Sequence, residues 1–336
     1  MTSPSPYAEV HRDPQGAGDA RPTALQIIKD EGLKGKLIGK VIVIAGATSG
    51  IGVETARALS ATGATLFLPA RNLAKANKSL AGILAPGKFS LIPLDLDSFR
   101  SIRAGADQIL SASNGQVNLL INSAGVMGVP ECNLTEDGIE SQFSGNYLGF
   151  FLLFQLLKES LLASVTPDFS SRVVIVASSA HRAGKLPASD NYNFEKTAYS
   201  HETAYNNSKL AAVYLANKIE RLYGSQGLHA TSLHPGAINT NISRHLSHEA
   251  FEAIITNPYV LKILKSPAQG AATTVWAAIG KEWEKKGGKY LEDVKEADRG
   301  EDDGQTFGAG WVEQTYDPKK EDCLWIDSLK LARLEG

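Results

Sequence analysis

The residues KVIVIAGATSGIG, at positions 40–52, carry the strongest indication of the fold. After Lys40 the first of these residues are apolar and mostly β-branched, which predicts a buried strand, and the overlapping run Ile51–Ser60 predicts a helix. Glycine at positions 46, 50 and 52 permits positive φ angles and close approach of the backbone to a phosphate. The start of the following helix presents free N–H groups and the positive end of its dipole. We therefore predict a dinucleotide-binding turn; the alternative is a tight turn in which glycine serves geometry alone.

The alternation of strand and helix continues along the chain from this stretch. The predicted strands are continuous apolar runs, as expected when helices cover both faces of a sheet. Repeated strand–helix units predict an α/β fold with a Rossmann-type doubly wound parallel sheet of about seven strands, flanked by helices. The predicted strands are Lys40–Ala45, Ala64–Leu68, Phe89–Leu94, Val117–Ile121, Arg172–Ala177, Leu228–Leu233 and Lys289–Leu291, and the later helices are Leu73–Leu84, Phe99–Leu110, Gly138–Leu162, Thr203–Tyr223, Ala268–Ile279 and Lys319–Leu334.

The pattern predicts a single domain with two extensions. Residues 1–36 are expected to form an N-terminal leader, disordered over 1–22 and followed by a short helix at Ala24–Glu31. Residues 37–295 form the dinucleotide-binding domain, and residues 296–336, which begin polar and glycine-rich, form a C-terminal extension. At residues 240–267 the regular alternation of strands and helices is lost, which predicts a lid over a substrate pocket.

Composition argues against several classes of function. The 336 residues are 43% hydrophobic, enough for a large core, and a net charge of −2 gives no electrostatic case for binding nucleic acid. Cys132 and Cys323 lie in no cluster with metal-ligand spacing, so no metal site is predicted. The first 21 residues lack the apolar core of a signal peptide, and the apolar stretch Tyr147–Ala163 is too short and too interrupted to span a membrane. We expect a cytoplasmic protein.

Cofactor choice is predicted from the end of the second strand. NAD sites place an acidic residue there to bind a ribose hydroxyl, whereas NADP sites offer arginine to a phosphate. The sequence Pro69-Ala70-Arg71-Asn72 contains no acid, and a guanidinium at Arg71 can bind a phosphate through two hydrogen bonds. We predict NADP(H), with Arg71 and Asn72 at the cofactor. The alternative is a solvated arginine at the start of a helix.

The turn at residues 46–52 resembles the Gly-x-x-x-Gly-Ile-Gly motif of the short-chain dehydrogenase/reductase family, and further motifs resembling that family follow in order as far as residue 292. The chain departs from the family at Ala45, where Thr is usual, and at Ser123, where Asn is usual. For Thr240 the resemblance implies binding of the nicotinamide carboxamide, although a helix N-cap is equally compatible. The resemblance implies cofactor contacts at Gly46, Thr48, Ser49, Gly50, Ile51, Gly52, Asp95, Leu96, Asn122, Ala124, Gly125, Tyr205, Lys209, Pro235, Gly236, Ile238 and Thr240.

The pattern Tyr-x-x-x-Lys does not by itself identify the proton-transfer pair, because it occurs four times. The pairs are Tyr192/Lys196, Tyr205/Lys209, Tyr214/Lys218 and Tyr316/Lys320. Tyr205 and Lys209 open a strong helix, which holds both side chains on one face. Tyr192 lies in a polar stretch, Tyr214 faces about the opposite side of the same helix, and Pro318 interrupts the last pair. We predict Tyr205 and Lys209.

The resemblance implies Asn146, Ser179, Tyr205 and Lys209 as catalytic residues. A free tyrosine has a pKa of about 10, and the neighbouring ammonium of Lys209 is expected to lower it. Tyr205 then exchanges a proton with the substrate oxygen, and Ser179 donates a hydrogen bond to that oxygen. Asn146 is expected to hold a water that links Lys209 to solvent; a polar side chain at a helix irregularity is the alternative.

Two further stretches narrow the resemblance. Ser178-Ser179-Ala180-His181, followed by an insertion that ends at Thr203, resembles the retinol-dehydrogenase-like and WW-domain-oxidoreductase-like branch. The segment Gly288–Asp293 resembles fungal members of that branch, which often serve specialised metabolism. His181 and His234 are predicted to be structural or to line the substrate pocket.

The predicted function is an NADP(H)-dependent oxidoreductase of the carbonyl reductase or alcohol dehydrogenase type, acting on a small hydrophobic carbonyl or alcohol. A non-redox isomerase or lyase, and a module that senses NADP(H), are the alternatives. Helix Tyr147–Leu162 is apolar on most faces, which predicts a homodimer unless an extension covers it. The apolar lid candidates are Phe251, Ile254, Ile255, Tyr259, Val260 and Leu264, and Val126 and Met127 complete the predicted pocket.

Overall fold

One sheet of eight strands organises the computed structural model, which describes residues 5–85, 87–187 and 189–334. Its order is β3-β2-β1-β4-β5-β6-β7-β8, with the first seven strands parallel and β8 antiparallel to β7. The predicted doubly wound parallel sheet is confirmed, and the added β8 is a two-residue hairpin partner that is too short to predict. The strands are β1 Val41–Ala45, β2 Thr65–Ala70, β3 Phe89–Pro93, β4 Leu119–Asn122, β5 Ser171–Val176, β6 Leu228–Leu233, β7 Tyr290–Glu292 and β8 Lys295–Glu296.

Helices cover both faces of this sheet, which explains the unbroken apolar runs of β1 and β5. Val41 and Val43 face a layer that contains α4, α6 and α7, whereas Ile42 and Ile44 face α1, α2 and α11. The helices are α1 Ala24–Asp30, α2 Gly50–Ser60, α3 Leu73–Leu80, α4 Phe99–Ala112, α5 Ser141–Phe143, α6 Gly149–Ala163, α7 His201–Tyr223, α8 His248–Ile255, α9 Pro258–Ile263, α10 Pro267–Gly270, α11 Ala272–Ile279 and α12 Pro318–Leu331.

The predicted long helix Gly138–Leu162 begins later and contains an irregular turn. Gly138 has a φ of +81°, outside the helical region, and α5 begins after Glu140, whose carboxylate accepts the N–H groups of Gln142 and Phe143. A π-helical turn, Ser144–Leu148, then joins α5 to α6. Such a turn leaves no signature in the apolar periodicity, and π-helical turns are frequent at functional sites.

The N-terminal leader differs from the prediction of disorder. Residues 5–22 lie against the body, and the four residues before them lie outside the described part of the chain. Arg21 is buried; it pairs with Asp19 at 2.8 Å and donates to the carbonyls of Ile263 at 2.8 Å and Leu264 at 2.6 Å. One arginine with complete partners thus holds a Pro/Gly-rich segment whose composition alone predicts no packing.

The C-terminal extension covers the apolar surface of α6. Trp325 of α12 stacks edge-on against Phe151, with ring centroids 5.2 Å apart, and the Tyr147 hydroxyl lies 2.6 Å from Ser328 Oγ. The homodimer prediction required this face to be open, so the structure supports the alternative in which an extension of the same chain covers it.

Residues 240–267, which are predicted to form a lid, are helical in pieces, as the sequence pattern indicated. This segment consists of a 3-10 turn, Asn241–His245, followed by α8 and α9. Ile254 and Tyr259 are 38% and 64% exposed, so these two apolar candidates point to solvent and not into a pocket. Among the described residues, no helix has the length and apolar character needed to cross a bilayer.

Candidate active site

The glycine turn after β1 is packed too closely for side chains. Gly46 has a φ of +86°, and a Cβ built on it would lie 2.4 Å from the Ala124 nitrogen. A Cβ on Gly52 would lie 2.1 Å from the Gly46 oxygen. Ser49 precedes α2 without capping it through its side chain, so no side chain at the N-cap takes the N–H groups of the first turn. These features fit a bound phosphate, and Ser49 is exposed beside the half-buried Thr48 and Ile51.

The carboxyl end of β4 lies directly against this turn. Ala45 and Asn122 are paired in register, and the buried Asn122 accepts the Ala124 N–H at 3.2 Å. A Cβ on Gly125 would lie 3.4 Å from Asn146 Oδ1 and 3.5 Å from Lys209 Nζ. The structure therefore brings together the segment Asn122–Gly125 after β4, the π-helical turn and α7.

Asn146 ties these elements together through its side chain. Its Nδ2 donates to the Val126 carbonyl at 2.9 Å and to Ser208 Oγ at 2.8 Å, and its Oδ1 accepts the Val126 N–H at 2.7 Å. Both side-chain donors are therefore used within the protein. This agrees with the alternative of a polar residue at a helix irregularity, while the water that Asn146 is expected to hold stays a prediction.

Tyr205 and Lys209 lie one turn apart near the start of α7, as predicted. Ser200 caps this helix by accepting the Thr203 N–H. Lys209 Nζ donates to the Val176 carbonyl at 3.2 Å and lies 5.7 Å from the centroid of the Tyr205 ring. Both side chains are buried, so the pair lies between the end of β5 and Gly125.

The other three tyrosines of this pattern have partners away from the site. The Tyr192 hydroxyl donates to Asp327 at 2.9 Å, and the Tyr214 hydroxyl donates to the Gln314 carbonyl at 2.8 Å. The Tyr316 hydroxyl accepts the Tyr290 N–H at 3.0 Å. Each of the three joins the C-terminal extension to the domain, which assigns them a structural role.

Burial controls the ionisation of the pair. It raises the pKa of Tyr205 to about 12, while a hydrogen bond with the Ser178 side chain acts to lower that pKa. Burial also lowers the pKa of Lys209 to about 8, so its ammonium is still charged at neutral pH. Burial is therefore the largest influence on the Tyr205 pKa, and the expected lowering of that pKa by Lys209 stays a prediction.

Ser178 is the functional candidate that sequence reasoning passed over. The side chain that acts on the pKa of Tyr205 is that of Ser178, whereas the role predicted for Ser179 is a hydrogen bond to the substrate oxygen. Ser179 is buried, and its N–H donates to His234 Nδ1 at 3.2 Å. The sequence did indicate Ser178 as a second candidate, because two consecutive serines at a strand end leave open which hydroxyl faces the site.

Of the two histidines near the site, His181 is buried and His234 is half-buried. His181 Nδ1 bonds the Ser178 carbonyl at 2.8 Å, and burial lowers the pKa of His181 to about 3. Burial lowers the pKa of His234 to about 4. Neutral rings with protein partners support the predicted structural role.

Arg71 lies at the end of β2 with its side chain 65% exposed, and its Nη1 is 4.0 Å from Asp97 Oδ2. Burial, reinforced by the charge of Asp95, raises the pKa of Asp97 to about 6. Asn72, for which a cofactor contact stays a prediction, caps α3 by accepting the Lys75 N–H on its Oδ1 at 2.9 Å. Asp97 is the second residue missed from the sequence, since only the fold brings it beside Arg71.

Near Asp97, the predicted contacts Asp95 and Leu96 are involved in local packing. Asp95 Oδ1 accepts the Asp97 N–H at 3.2 Å, which shapes the loop after β3. A Cβ built on Gly149 would lie 2.1 Å from the Leu96 carbonyl oxygen. This loop therefore contacts the start of α6.

The segment after β6 is fixed by a lysine that the sequence did not reveal as important. Lys265 is buried; its Nζ donates to Asp293 at 2.6 Å and to the Pro235 carbonyl at 3.3 Å. Gly236 has a φ of +103°, and Ile238 forms a bridge with Lys265. The Pro-Gly turn is thereby held to the end of the lid.

Thr240 caps the 3-10 turn of the lid and also lies over the glycine turn. Its side chain accepts the Ile242 N–H at 3.4 Å, as the N-cap alternative predicted. Its Cγ2 is 3.1 Å from the position of a Cβ on Gly50. The lid therefore begins directly above the first residue of α2.

Comparison with known proteins agrees with this geometry. The family model described as short chain dehydrogenase matches residues 40–250. The chain is 46% identical to short-chain dehydrogenase/reductase prx1 of Penicillium roqueforti, over 98% of this chain and 95% of that protein. It is 34% identical to human retinol dehydrogenase 13, over 90% and 87% of the two chains. It is 36% identical to WW domain-containing oxidoreductase of Gallus gallus, over 81% of this chain and 65% of that one.

Solved structures share the fold. A protein of Mycobacterium Paratuberculosis superposes with a TM-score of 0.67 and 26% identity, over 94% of this chain and 98% of that chain. The RhlG/NADP active-site complex of Pseudomonas aeruginosa superposes with a TM-score of 0.61 and 24% identity, over 77% and 96% of the two chains. The predicted resemblance to the retinol-dehydrogenase and WW-domain-oxidoreductase branch is confirmed, a fungal origin is consistent with the Penicillium relative, and the chain belongs to the short-chain dehydrogenase/reductase family.

Proposed function

We propose that the protein is an NADP(H)-dependent oxidoreductase that interconverts a hydrophobic ketone or aldehyde and the corresponding alcohol. The observation that carries this proposal is the meeting of Tyr205, Lys209 and Gly125 at the carboxyl edge of the sheet, beside the glycine turn. A buried phenol, a buried ammonium and a glycine that leaves room next to both form a site suited to moving one proton.

When bound, a nicotinamide cofactor supplies or accepts the hydride at the carbonyl carbon. In reduction, the carbonyl π electrons move onto oxygen, and the Tyr205 hydroxyl donates its proton there to give the alcohol. A serine hydroxyl, Ser179 in the predicted assignment and Ser178 as the neighbour of Tyr205, stabilises the developing charge on that oxygen. The Lys209 ammonium favours proton transfer, because its positive charge stabilises the phenolate that remains.

Preference for NADP(H) is supported by the charge around Arg71. Its guanidinium is largely exposed, and its nearest carboxylate, Asp97, is at the limit of an ion pair. A phosphate on the adenosine ribose offers Arg71 a better partner, since paired N–H donors match phosphate oxygens. The NADP named in the RhlG complex agrees with this choice.

A hydrophobic substrate is supported by the residues over the site. A Cβ on Gly125 would contact Ile242 of the lid at 3.7 Å, and one on Gly128 would contact Leu246 at 3.0 Å. The lid thus places apolar side chains above the loop that follows β4. The name of the retinol dehydrogenase relative, which specifies a hydrophobic alcohol, agrees with this inference.

The test is a reaction with NADPH or NADH and a panel of aromatic and aliphatic ketones and aldehydes, followed by the near-ultraviolet absorbance of the reduced cofactor. We expect NADPH oxidation that Tyr205→Phe slows by about 100- to 10,000-fold. The matched controls are Tyr214→Phe, on the same helix, and Tyr192→Phe, both of which should retain activity.

A different outcome would identify the non-redox alternative. If NADPH binds, no carbonyl is reduced and no matching alcohol is oxidised, the redox proposal fails. An isomerase or lyase that retains bound nucleotide would then be the function to test. Activity that survives Tyr205→Phe but not Tyr192→Phe would transfer the proton-transfer role to Tyr192.

A further inference from the structure

The short turn that carries the catalytic serine is held by the C-terminal extension. Ser179–Ala183 is a 3-10 turn that directly follows Ser178 at the end of β5. Short 3-10 turns have poor hydrogen-bond geometry and little stability of their own. The position of the serine hydroxyls therefore depends on what packs against this turn.

Arg182 supplies the main connection. Its side chain is 1% exposed, and its guanidinium donates to the Ala309 carbonyl at 2.6 Å, the Glu301 carbonyl at 2.8 Å and Asp303 Oδ1 at 2.9 Å. Longer bonds reach the Gln305 carbonyl at 3.3 Å and the Gly310 carbonyl at 3.4 Å. A buried cation without such partners would be strongly destabilising.

The extension is shaped around this guanidinium by two glycines. A Cβ on Gly308 would lie 2.4 Å from Arg182 Cζ, and a Cβ on Gly300 would lie 2.4 Å from Arg182 Nη1. Neither glycine has a positive φ, so backbone conformation does not require glycine at these positions. The space taken by Arg182 is the physical reason for Gly308, whereas at Gly300 the Ala309 carbonyl oxygen, 2.3 Å from the same Cβ position, excludes a side chain together with Arg182.

The extension also bonds back to the turn. Gln314 Nε2 donates to the His181 carbonyl at 3.0 Å and to the Arg182 carbonyl at 2.7 Å. The His181 ring contacts the Ser178 carbonyl oxygen through Nδ1. Because that oxygen can only accept a hydrogen bond, Nδ1 of the neutral ring carries the proton and donates a hydrogen bond to Ser178. The Nε2 of His181 then accepts from the Thr315 hydroxyl at 3.0 Å. A single imidazole thus connects the Ser178 backbone to the extension.

We propose that residues 298–316 are part of the active-site scaffold and that Arg182 is a positioning residue for Ser178 and Ser179. Arg182 touches neither Tyr205 nor the glycine turn in the hydrogen bonds described above. Its effect is to fix the backbone from which the two hydroxyls face the substrate oxygen. This inference rests on the proposed carbonyl chemistry, and it assigns to the C-terminal extension a role in turnover.

The test uses Gly308→Ala in the full-length protein, because the added methyl group displaces the guanidinium from the extension side. Phe307→Ala is the matched control, since Phe307 is the adjacent residue and is 82% exposed. We expect Gly308→Ala to lower kcat by about 10- to 100-fold, with the KM for NADPH unchanged, because a small misplacement of a reacting group has effects of this size. Arg182→Lys should give a similar loss, since one ammonium cannot reach acceptors on both sides of the loop.

Hydrogen exchange of the turn provides a readout that does not depend on activity. The His181 and Gly184 amides bond within the turn, and we expect them to exchange faster in Gly308→Ala, while the amides of β1 keep wild-type rates. If Gly308→Ala keeps wild-type kcat and wild-type exchange, the scaffold proposal is overturned and the redox function stands. If the wild type reduces no carbonyl, the proposed function fails, and the exchange comparison alone decides whether the extension holds the turn.

Discussion

Ser178, the first serine of the pair that follows β5, lies close enough to Tyr205 for its side chain to lower the pKa of the phenol. Ser179, the second serine, begins the turn that the C-terminal extension holds, and its N–H donates to His234. The two adjacent serines therefore have different surroundings. One contacts the proton-transfer residue, and the other is oriented by its backbone.

The two serines should be separable by their effect on pH dependence. The hydrogen bond with Ser178 lowers the pKa of Tyr205, so Ser178→Ala should raise that pKa. Alcohol oxidation requires deprotonated Tyr205, and the rise of its rate with pH should therefore move to higher pH in Ser178→Ala. Ser179→Ala should reduce kcat by about 100-fold without moving the profile. Full activity in Ser179→Ala together with loss of activity in Ser178→Ala would assign the substrate oxygen to Ser178.

Lys209 should make stability depend on pH in the alkaline range. Burial lowers its folded-state pKa to about 8 from 10.5, so the unfolded chain binds more protons between these values, and stability gains from this group as pH rises. Lys209→Met removes that gain. The free energy of unfolding of Lys209→Met minus that of wild type should therefore decrease by up to about 3 kcal/mol as the pH rises from 7 to 10.5. Denaturant titrations at both pH values measure this difference.

The control for this measurement is Lys218→Met, on the same helix, whose ammonium pairs with Asp322 at 2.6 Å. Its difference from wild type should change little between the two pH values. An equal pH dependence in both variants would mean that burial of Lys209 is not the cause.

Arg71→Ala should weaken NADPH binding without affecting NADH. Loss of a charged hydrogen bond to phosphate corresponds to about a 10- to 100-fold rise in Kd. Quenching of protein fluorescence by each reduced cofactor measures both affinities. Arg57→Ala, on the outer part of α2 and paired with Glu54 at 3.3 Å, is the control and should bind both cofactors normally. Equal losses for NADPH and NADH would remove Arg71 from the phosphate site.

Trp325→Ala should destabilise the protein, because it removes the ring that covers Phe151 and Phe154 on α6. We expect a loss of about 3 kcal/mol in the free energy of unfolding. Ile326→Ala changes the next residue of α12, which is 49% exposed, and should cost far less. Similar losses in the two variants would mean that α12 is not docked through this ring.

The oligomeric state follows from the same contact. With α12 over α6, we expect the full-length chain to sediment as a monomer, and removal of residues 317–336 to expose the apolar face and cause association. A stable dimer of the full-length chain would restore the homodimer prediction and require a different interface.

The doubly wound sheet, the glycine turn and the Tyr205/Lys209 pair could all be predicted from the amino-acid sequence. Each depends on local physics: apolar runs form buried strands, the residues at 46–52 connect a strand to a helix, and a four-residue spacing puts two side chains on one helical face. Relations within one strand–turn–helix unit can be inferred from periodicity alone. The motifs at Asn122 and Gly125 followed because strand ends in a parallel sheet meet at one edge.

The contacts of the two extensions and the way the site is held became visible only in the folded chain. No pattern in the neighbouring sequence marks the side chains of Arg21, Arg182 and Lys265 as buried. Their partners are backbone carbonyls and carboxylates far along the chain. Asn146 and Ser178 likewise acquired their contacts from elements that meet only in the folded chain. A hydrogen-bond acceptor on a distant loop leaves no periodic trace in the sequence, so these roles follow from packing and not from pattern.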